Sequence, residues 1–157
     1  MTQQETQTFT QTEAAFAPAD ENGPRVGIIM GSKSDLEEME KAGKVLEEAE
    51  ISYEIHVMSA HRDPDKVAEY CRTARRRGLR VIIAGAGLSA ALPGVAAAHT
   101  DLPVIGVPLS SRLSAAGGLD AILSVVQMPP GVPVAAVGLD NSRNAAHLAV
   151  RILGAAA

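Results

Sequence analysis

The sequence predicts an α/β domain in which a five-stranded parallel sheet is covered by helices on both faces. Short runs rich in Val and Ile alternate five times with segments whose apolar residues recur at helical spacing. The Val and Ile runs are continuously apolar, which is typical of strands buried on both faces. Because right-handed crossovers join successive parallel strands through a helix, this alternation predicts a doubly wound sheet.

The elements follow one another in a regular order from Arg25 onward. The predicted strands are RVGIIM (25–30), SYEIHVM (52–58), RVIIAGAG (80–87), LPVIGVPL (102–109) and VPVAAVGL (132–139). The predicted helices cover about 36–49, 64–77, 90–98, 115–127 and 142–153. By analogy with flavodoxin-like folds, we expect a three-layer sandwich with strand order 2-1-3-4-5.

Length and composition indicate a single domain. The chain has 157 residues, 46% of them hydrophobic, and a chain of this size buries roughly 70% of its unfolded surface. The first 24 residues are rich in Gln, Thr and Ala and show no sustained period. We therefore expect a disordered N-terminal extension at 1–24 and one folded domain at 25–157.

Composition also argues against several classes of partner. The net charge of −4 and the scarcity of aromatic residues, with no Trp, disfavour nucleic-acid binding. The single cysteine, Cys71, can form neither an intramolecular disulfide nor a cysteine-based zinc site. No apolar run is long enough to span a membrane, and residues 1–24 contain no Lys or Arg, so we expect a cytoplasmic protein without a leader. A basic cluster in the second helix is interpreted as solvated surface: Arg72, Arg75, Arg76, Arg77 and Arg80.

Three loops are expected to meet at one edge of the sheet. Parallel α/β sheets bind ligands outside the carboxyl ends of their strands, where the strand order reverses. The loops after the first three strands are GSKSD (31–35), SAHRDPD (59–65) and GAGLSAALPG (85–94). The segment SSRLSAAGG (110–118) is expected to cover them.

The first loop has two interpretations. Ser34 and Glu37 have the spacing of a capping box, which would be a purely structural role. That role leaves Ser32 unexplained, and hydroxyl groups beside a helix N-terminus form an anion site for a phosphate or carboxylate. Asp35 next to such a site suits the hydroxyl groups of a sugar, so the loop is also a candidate site for a ribose phosphate.

The second loop places His61 and Arg62 just before a helix. Asp63 and Pro64 are suitable N-cap and first-turn residues, so the preceding pair lies in the loop. A histidine in a loop is most often a surface residue, but His61 is predicted to face the GSKSD loop. An imidazole there can carry protons near neutral pH, and a guanidinium can bind a phosphate. The other three histidines lack this context, and no spacing of His or carboxylate residues indicates a metal site.

The motifs GIIMGSKSD, SAHRDPDK, VIIAGAG, ALPG, LPVIGVPL and VVQMPPGVPVA together resemble the class I N5-carboxyaminoimidazole ribonucleotide mutase (PurE) family. The similarity runs from about Arg25 to Leu153. It implies conversion of N5-carboxyaminoimidazole ribonucleotide to 4-carboxy-5-aminoimidazole ribonucleotide in purine biosynthesis, without metal or organic cofactor. It also implies a homo-octamer and CO2 as a trapped intermediate.

The resemblance also implies roles for individual residues. His61 matches the family's single proton-transferring histidine, and Ser32, Asp35 and Arg62 match its substrate-binding positions. Ser34 and Ser59 would assist with the phosphate or with loop shape. The glycine-rich third loop would line the pocket for the imidazole and CO2 through Gly85, Ala86 and Gly87.

The sequence departs from the family pattern in the third loop. Class I members usually carry a histidine where this chain has Ala91, so its role would be lost or filled by Ser89. Leu88 and Ser89 replace small residues that are usual in the family. The alternatives are a class II enzyme that carboxylates aminoimidazole ribonucleotide directly, a carboxylase of a pyridinium dinucleotide, and a non-catalytic module that binds a phosphate ligand.

Overall fold

Five parallel strands form the centre of the molecule in a computed structural model that describes residues 21–155. The strands are β1 (Val26–Met30), β2 (Tyr53–Val57), β3 (Val81–Gly87), β4 (Val104–Leu109) and β5 (Ala135–Ala136), paired in the order β2-β1-β3-β4-β5. The predicted order and parallel pairing are therefore confirmed. The expected extension at 1–24 lies almost entirely outside the described residues.

Within residues 21–155, five helices cover the sheet: α1 (Leu36–Glu48), α2 (Pro64–Ala74), α3 (Leu92–Ala98), α4 (Leu119–Val126) and α5 (Ser142–Ala155). Short 3-10 turns precede two of them, Lys33–Asp35 before α1 and Ala115–Gly118 before α4. No helix within residues 21–155 is long and apolar enough to cross a bilayer.

The core consists of two apolar layers, one on each face of the sheet. Helices α1 and α5 pack on one face through residues such as Met39 and Ala145, which are fully buried. Helices α2, α3 and α4 cover the other face through residues such as Val67 and Leu92. Every residue of β1 is buried, because this strand lies between β2 and β3 and is covered on both faces. The continuous apolar runs of the sequence arise from this double coverage.

The fifth strand is much shorter than predicted. The run 132–139 was expected to be a strand, but only Ala135 and Ala136 pair with β4, opposite Ile105 and Gly106. Pro133 lacks the N–H that a ladder requires, and the segment lies at the open edge of the sheet. The sheet therefore ends in a short, exposed edge strand.

The arginine cluster of α2 is not simply a solvated surface. Arg77 donates to Glu54 Oε1 at 2.5 Å and lies over the ring of Tyr70, 4.5 Å from its centroid. Arg75 pairs with Asp101 at 3.0 Å. The guanidinium of Arg77, in the turn after α2, thus contacts both Tyr70 of α2 and Glu54 of the edge strand β2, which the helical pattern alone does not reveal.

Candidate active site

A cavity of about 660 Å3 opens at the carboxyl edge of the sheet. Because the strands are parallel, the loops that follow β1, β2, β3 and β4 all reach this edge. Nine of the ten residues predicted for the site line the cavity: Ser32, Ser34, Asp35, Ser59, His61, Arg62, Ala86, Gly87 and Ser89. The structure therefore brings together residues that are up to 57 positions apart, Ser32 to Ser89.

The loop after β1 is shaped by Ser32. Its hydroxyl oxygen accepts hydrogen bonds from the backbone N–H of Ser34, at 3.3 Å, and from the Ser34 hydroxyl, at 2.9 Å. Ser32 is thus the N-cap of the 3-10 turn that leads into α1, and the capping box expected from Ser34 and Glu37 does not form the cap. The hydroxyl groups of Ser32 and Ser34 also line the cavity, so the same two side chains can hold the turn and contact a ligand.

Asp35 lies half-buried in the cavity wall. Burial is the largest influence on its carboxyl group and raises its pKa above the ordinary value of 3.8. A hydrogen bond from the backbone at Ser32 and the charge of Arg62 act in the opposite direction, whereas the negative charge of Asp140 raises the pKa further. Ionisation of the Asp35 carboxyl group therefore costs free energy in the folded protein, even though the guanidinium of Arg62 lies near enough to favour the charged form.

The loop after β2 carries the imidazole and the guanidinium. Ser59 holds this loop by accepting the Arg62 N–H on its hydroxyl, at 3.2 Å, and the Asp63 N–H on its carbonyl, at 2.9 Å. Helix α2 then begins with Asp63 as N-cap and Pro64 in the first turn, as predicted. Ser59 thus determines the shape of the loop that presents His61 and Arg62.

His61 is exposed at the cavity wall. Among the described residues, no side chain or backbone group donates to or accepts from its ring. The imidazole is therefore available to a ligand, and the ligand itself would orient it. His56, His99 and His147 do not line this cavity.

The loop after β3 forms an apolar wall. Ala86, Gly87, Leu88 and Ala91 line the cavity, and Leu88 is 43% exposed with a positive φ of 56°. Gly85 does not line it. Gly85 is buried within β3 and accepts the Gly31 N–H on its carbonyl oxygen at 3.3 Å.

The loop after β4 completes the cavity with Ser110, Ser111 and Leu113. The sequence placed this segment over the site but assigned no role to its individual residues. Leu113 is 69% exposed at the cavity mouth, which leaves an apolar side chain facing solvent beside the apolar wall. The hydroxyl groups of this loop could have been noticed from the pair Ser110 and Ser111, which directly follows a predicted strand.

A second depression of about 390 Å3 shares part of the wall of the main cavity. The two share Gly31, Ser32, Ser59 and Arg62, so the hydroxyl and guanidinium donors are accessible from both. This combination can bind an anionic group at the Ser32 and Arg62 wall, while the apolar wall and His61 border the rest of the ligand. No group of three His, Cys, Asp or Glu residues within 21–155 is arranged to hold a metal ion.

The strand order and a cavity at the carboxyl edge define a flavodoxin-like α/β protein with a candidate ligand site at that edge. A family model described as AIR carboxylase matches residues 25–157. The chain belongs to this AIR carboxylase (PurE) family.

Similar proteins agree with this assignment. The chain is 62% identical over 130 residues to a Pyrococcus abyssi protein named N5-carboxyaminoimidazole ribonucleotide mutase, covering 83% of this chain and 74% of that protein. It is 56% identical over 134 residues to a Bacillus subtilis protein of the same name, covering 84% and 82%. The crystal structure of Treponema denticola PurE superposes with a TM-score of 0.73 at 34% identity, covering 84% of this chain and 81% of that one.

Proposed function

We propose that this protein is an N5-carboxyaminoimidazole ribonucleotide mutase of purine biosynthesis. It converts N5-carboxyaminoimidazole ribonucleotide to 4-carboxy-5-aminoimidazole ribonucleotide and uses neither a metal nor an organic cofactor. The observation that carries this proposal is the single cavity that joins His61, Asp35 and Arg62 in a chain of the AIR carboxylase family. The catalytic domain corresponds to residues 25–157.

The nucleotide is held at its phosphate and sugar by the first two loops. The phosphate binds at the wall formed by the hydroxyl group of Ser32 and the guanidinium of Arg62, which supply directed donors to its oxygens. Ser34 assists by donating its hydroxyl proton to Ser32, which holds the shape of this wall. Asp35 accepts hydrogen bonds from the ribose hydroxyl groups. Ser59 contributes by fixing the second loop, since its hydroxyl accepts the Arg62 N–H.

His61 moves the protons of the reaction. In the first step the bond between the exocyclic nitrogen and its carboxylate breaks, CO2 leaves, and the nitrogen takes a proton from the imidazolium form of His61. In the second step C4 of the imidazole attacks CO2 and forms the new carbon–carbon bond. The neutral imidazole then removes the C4 proton, which restores the aromatic ring and returns His61 to its starting form.

The third loop retains CO2 between the two steps. Ala86, Gly87 and Leu88 offer no hydrogen-bond acceptor or donor from their side chains to bring water toward the intermediate. Ser89 also lines this wall and takes the place of the usual family histidine near the migrating carboxylate. Ala91, at the position of that histidine, adds a methyl group to the same wall.

The test is conversion of freshly prepared N5-carboxyaminoimidazole ribonucleotide without ATP or added metal. We expect the wild type to form the C4-carboxylated isomer and His61→Asn to lose about 10²–10⁴-fold in turnover. His56→Asn is the matched control, because His56 is exposed on β2 and lies outside the cavity. Conversion of aminoimidazole ribonucleotide only when bicarbonate is added would instead identify a direct carboxylase. Full activity of His61→Asn would contradict the assignment of proton transfer.

The oligomer that we propose is a homo-octamer working in the cytoplasm. Helix α4 presents an apolar stripe at helical spacing, with Leu119, Leu123 and Val126 each 46–52% exposed. Single apolar side chains are common on surfaces, but three on one helix face form a patch suited to contact between subunits. Sedimentation velocity tests this: we expect an octamer for the wild type and smaller species for Leu123→Glu, with an unchanged distribution counting against this interface.

A further inference from the structure

Asp140 joins the loop after β5 to the loop after β4. Its Oδ1 accepts the backbone N–H of Ser110 at 2.8 Å, and its Oδ2 accepts the hydroxyl of the same serine. The Asp140 N–H in turn donates to the Pro108 carbonyl oxygen at 2.9 Å. Three hydrogen bonds therefore hold together two segments that are 30 residues apart in the chain.

The backbone of Asp140 adopts the left-handed region, with φ of 53°. Aspartate and asparagine tolerate this conformation better than most residues, yet it remains less favourable than the extended or helical regions. The next residue, Asn141, caps α5 by accepting the Asn144 N–H at 3.1 Å. The positive φ thus occurs between the cap of α5 and the contact with Ser110.

Ser110, which Asp140 holds in place, is itself part of the cavity wall. It lines the wall together with Ser111 and Leu113, whereas Asp140 itself does not. Ser111 and Ser114 then form a tight turn, in which the Ser111 N–H donates to the Ser114 hydroxyl at 2.8 Å and the Leu113 N–H to the Ser111 hydroxyl at 3.2 Å. The Asp140 carboxylate therefore anchors this wall at Ser110, the residue from which the turn of Ser111 to Ser114 continues.

The hydroxyl proton of Ser110 is committed to Asp140. The oxygen of that hydroxyl can therefore only accept a hydrogen bond from a ligand, which matches an amino group or a sugar hydroxyl. Asp140 also lies close enough to Asp35 for its charge to raise the pKa of that carboxyl group. The hydrogen bond to Ser110 and the effect on the pKa of Asp35 both indicate that Asp140 lies close to two residues of the cavity wall.

We propose that Asp140 is a positioning residue for the mutase reaction, which holds Ser110 as a hydrogen-bond acceptor in the fourth wall of the cavity. This inference rests on the proposed function, since it assigns the segment from Ser110 to Leu113 to substrate binding. It goes beyond the residues that the family resemblance implied, none of which lies in this segment.

Asp140→Asn is the central variant, because asparagine also tolerates the left-handed backbone but replaces one acceptor oxygen with an amide nitrogen. We expect KM for N5-carboxyaminoimidazole ribonucleotide to rise about tenfold, the effect of losing one hydrogen bond to a charged group, with a smaller change in kcat. Amide hydrogen exchange at Ser110 should become faster while Tm changes little. Asp101→Asn is the matched control, since that residue pairs with Arg75 outside the cavity.

Ser110→Ala and the double variant measure the coupling. If Asp140 acts through Ser110, Asp140→Asn should raise KM much less in the Ser110→Ala background than in the wild type. Additive effects on KM, or unchanged KM and exchange in Asp140→Asn, would overturn the inference. If the wild type does not convert N5-carboxyaminoimidazole ribonucleotide, the proposed function fails. This inference falls with it, and faster exchange would then report only a structural contact.

Discussion

Arg62 and Gly31 join the two loops that bear the proposed substrate contacts. The guanidinium of Arg62 donates through Nη2 to the Gly31 carbonyl oxygen at 2.7 Å, although the residues are 31 positions apart. This bond fixes the plane of the guanidinium while leaving its other N–H groups for a ligand. The proposed phosphate-binding donor is therefore oriented in the absence of a ligand, which would reduce the entropy lost on binding.

Arg62→Lys is expected to weaken substrate binding despite preserving the charge. An ammonium group is compact and lacks the planar geometry of a guanidinium. It therefore cannot donate to the Gly31 carbonyl oxygen and bind a phosphate through two parallel hydrogen bonds at the same time. We expect KM to rise about tenfold or more, since a bidentate charged contact contributes more than a single hydrogen bond. Initial rates across substrate concentration measure this effect. Arg151→Lys, on the exposed side of α5, is the control, and an unchanged KM for Arg62→Lys would contradict the assigned contact.

Gly85→Ala is expected to destabilise the fold. A Cβ at Gly85 would overlap the sulfur of Met39, which is fully buried between α1 and the sheet. Overpacking of this kind costs about 1–3 kcal/mol in the free energy of unfolding. Gly31→Ala is the matched control, because a Cβ there meets no atom within 4 Å. Denaturant titration of both variants measures the difference, and equal stability would show that Met39 moves aside freely.

The central strands could be predicted from the sequence because their signal is local. The runs that form β1 and β3 are apolar throughout, and the glycines and polar residues after them end each strand where the structure ends it, at Met30 and Gly87. The edge strand β5 could not be predicted equally well. Its extent depends on which residues of 132–139 form ladder pairs with β4, and within this segment Ala135 and Ala136 do so.

The residues of the candidate site could be predicted where they belong to a sequence motif. They could not be predicted where only a long-range contact brings them to the site. Ser32, His61 and Arg62 lie in the loops that follow two parallel strands, so parallel topology alone places these loops at one edge. The sequence indicated Ser34 as the cap of the first turn, whereas the backbone path makes Ser32 the cap. Asp140 precedes a helix and has no local feature that distinguishes it from a capping residue. Its contact with Ser110 arises from the pairing of β4 with β5.

Glu54→Gln is expected to lower stability near neutral pH. Burial is the largest single influence on Glu54 and would raise its pKa, but the Arg77 hydrogen bond, Tyr70 and the charges of Arg77 and His56 together outweigh burial and lower the pKa below its ordinary value of 4.5. The ionised form is therefore favoured in the folded state, so its contribution is present above pH 4.5 and is lost as the pH falls through the lower folded value. We expect a loss of about 1 kcal/mol at pH 7 for this partly exposed pair.

The pH dependence separates this ion pair from a general effect of charge. Urea unfolding of wild type and Glu54→Gln at several pH values should show a difference that disappears on acidification below the folded pKa. Glu48→Gln, on the exposed end of α1, is the control and should match the wild type throughout. A difference between wild type and Glu54→Gln that persists in acid would show that Glu54 acts through packing and not through its charge.

Asp35→Asn is expected to raise the thermal stability of the protein and to weaken substrate binding. The pKa of Asp35 is raised, chiefly by burial, so its ionised form costs free energy in the folded state at neutral pH. The amide carries no charge and avoids this cost, so we expect Tm at pH 7 to rise by about 1–2 °C. The gain should shrink as the pH falls through the raised pKa and vanish below 3.8, where the carboxyl group is protonated in both the folded and the unfolded chain.

The same substitution removes an acceptor from the proposed ribose contact. We therefore expect KM of Asp35→Asn to rise by about tenfold, because one hydrogen bond to a charged acceptor is lost. This increase in KM should occur in the same variant whose Tm is higher. Thermal unfolding and initial rates on one preparation measure both quantities. A lower Tm at pH 7 would show that attraction between Asp35 and Arg62 outweighs burial of the carboxylate. An unchanged KM would remove Asp35 from the proposed substrate site.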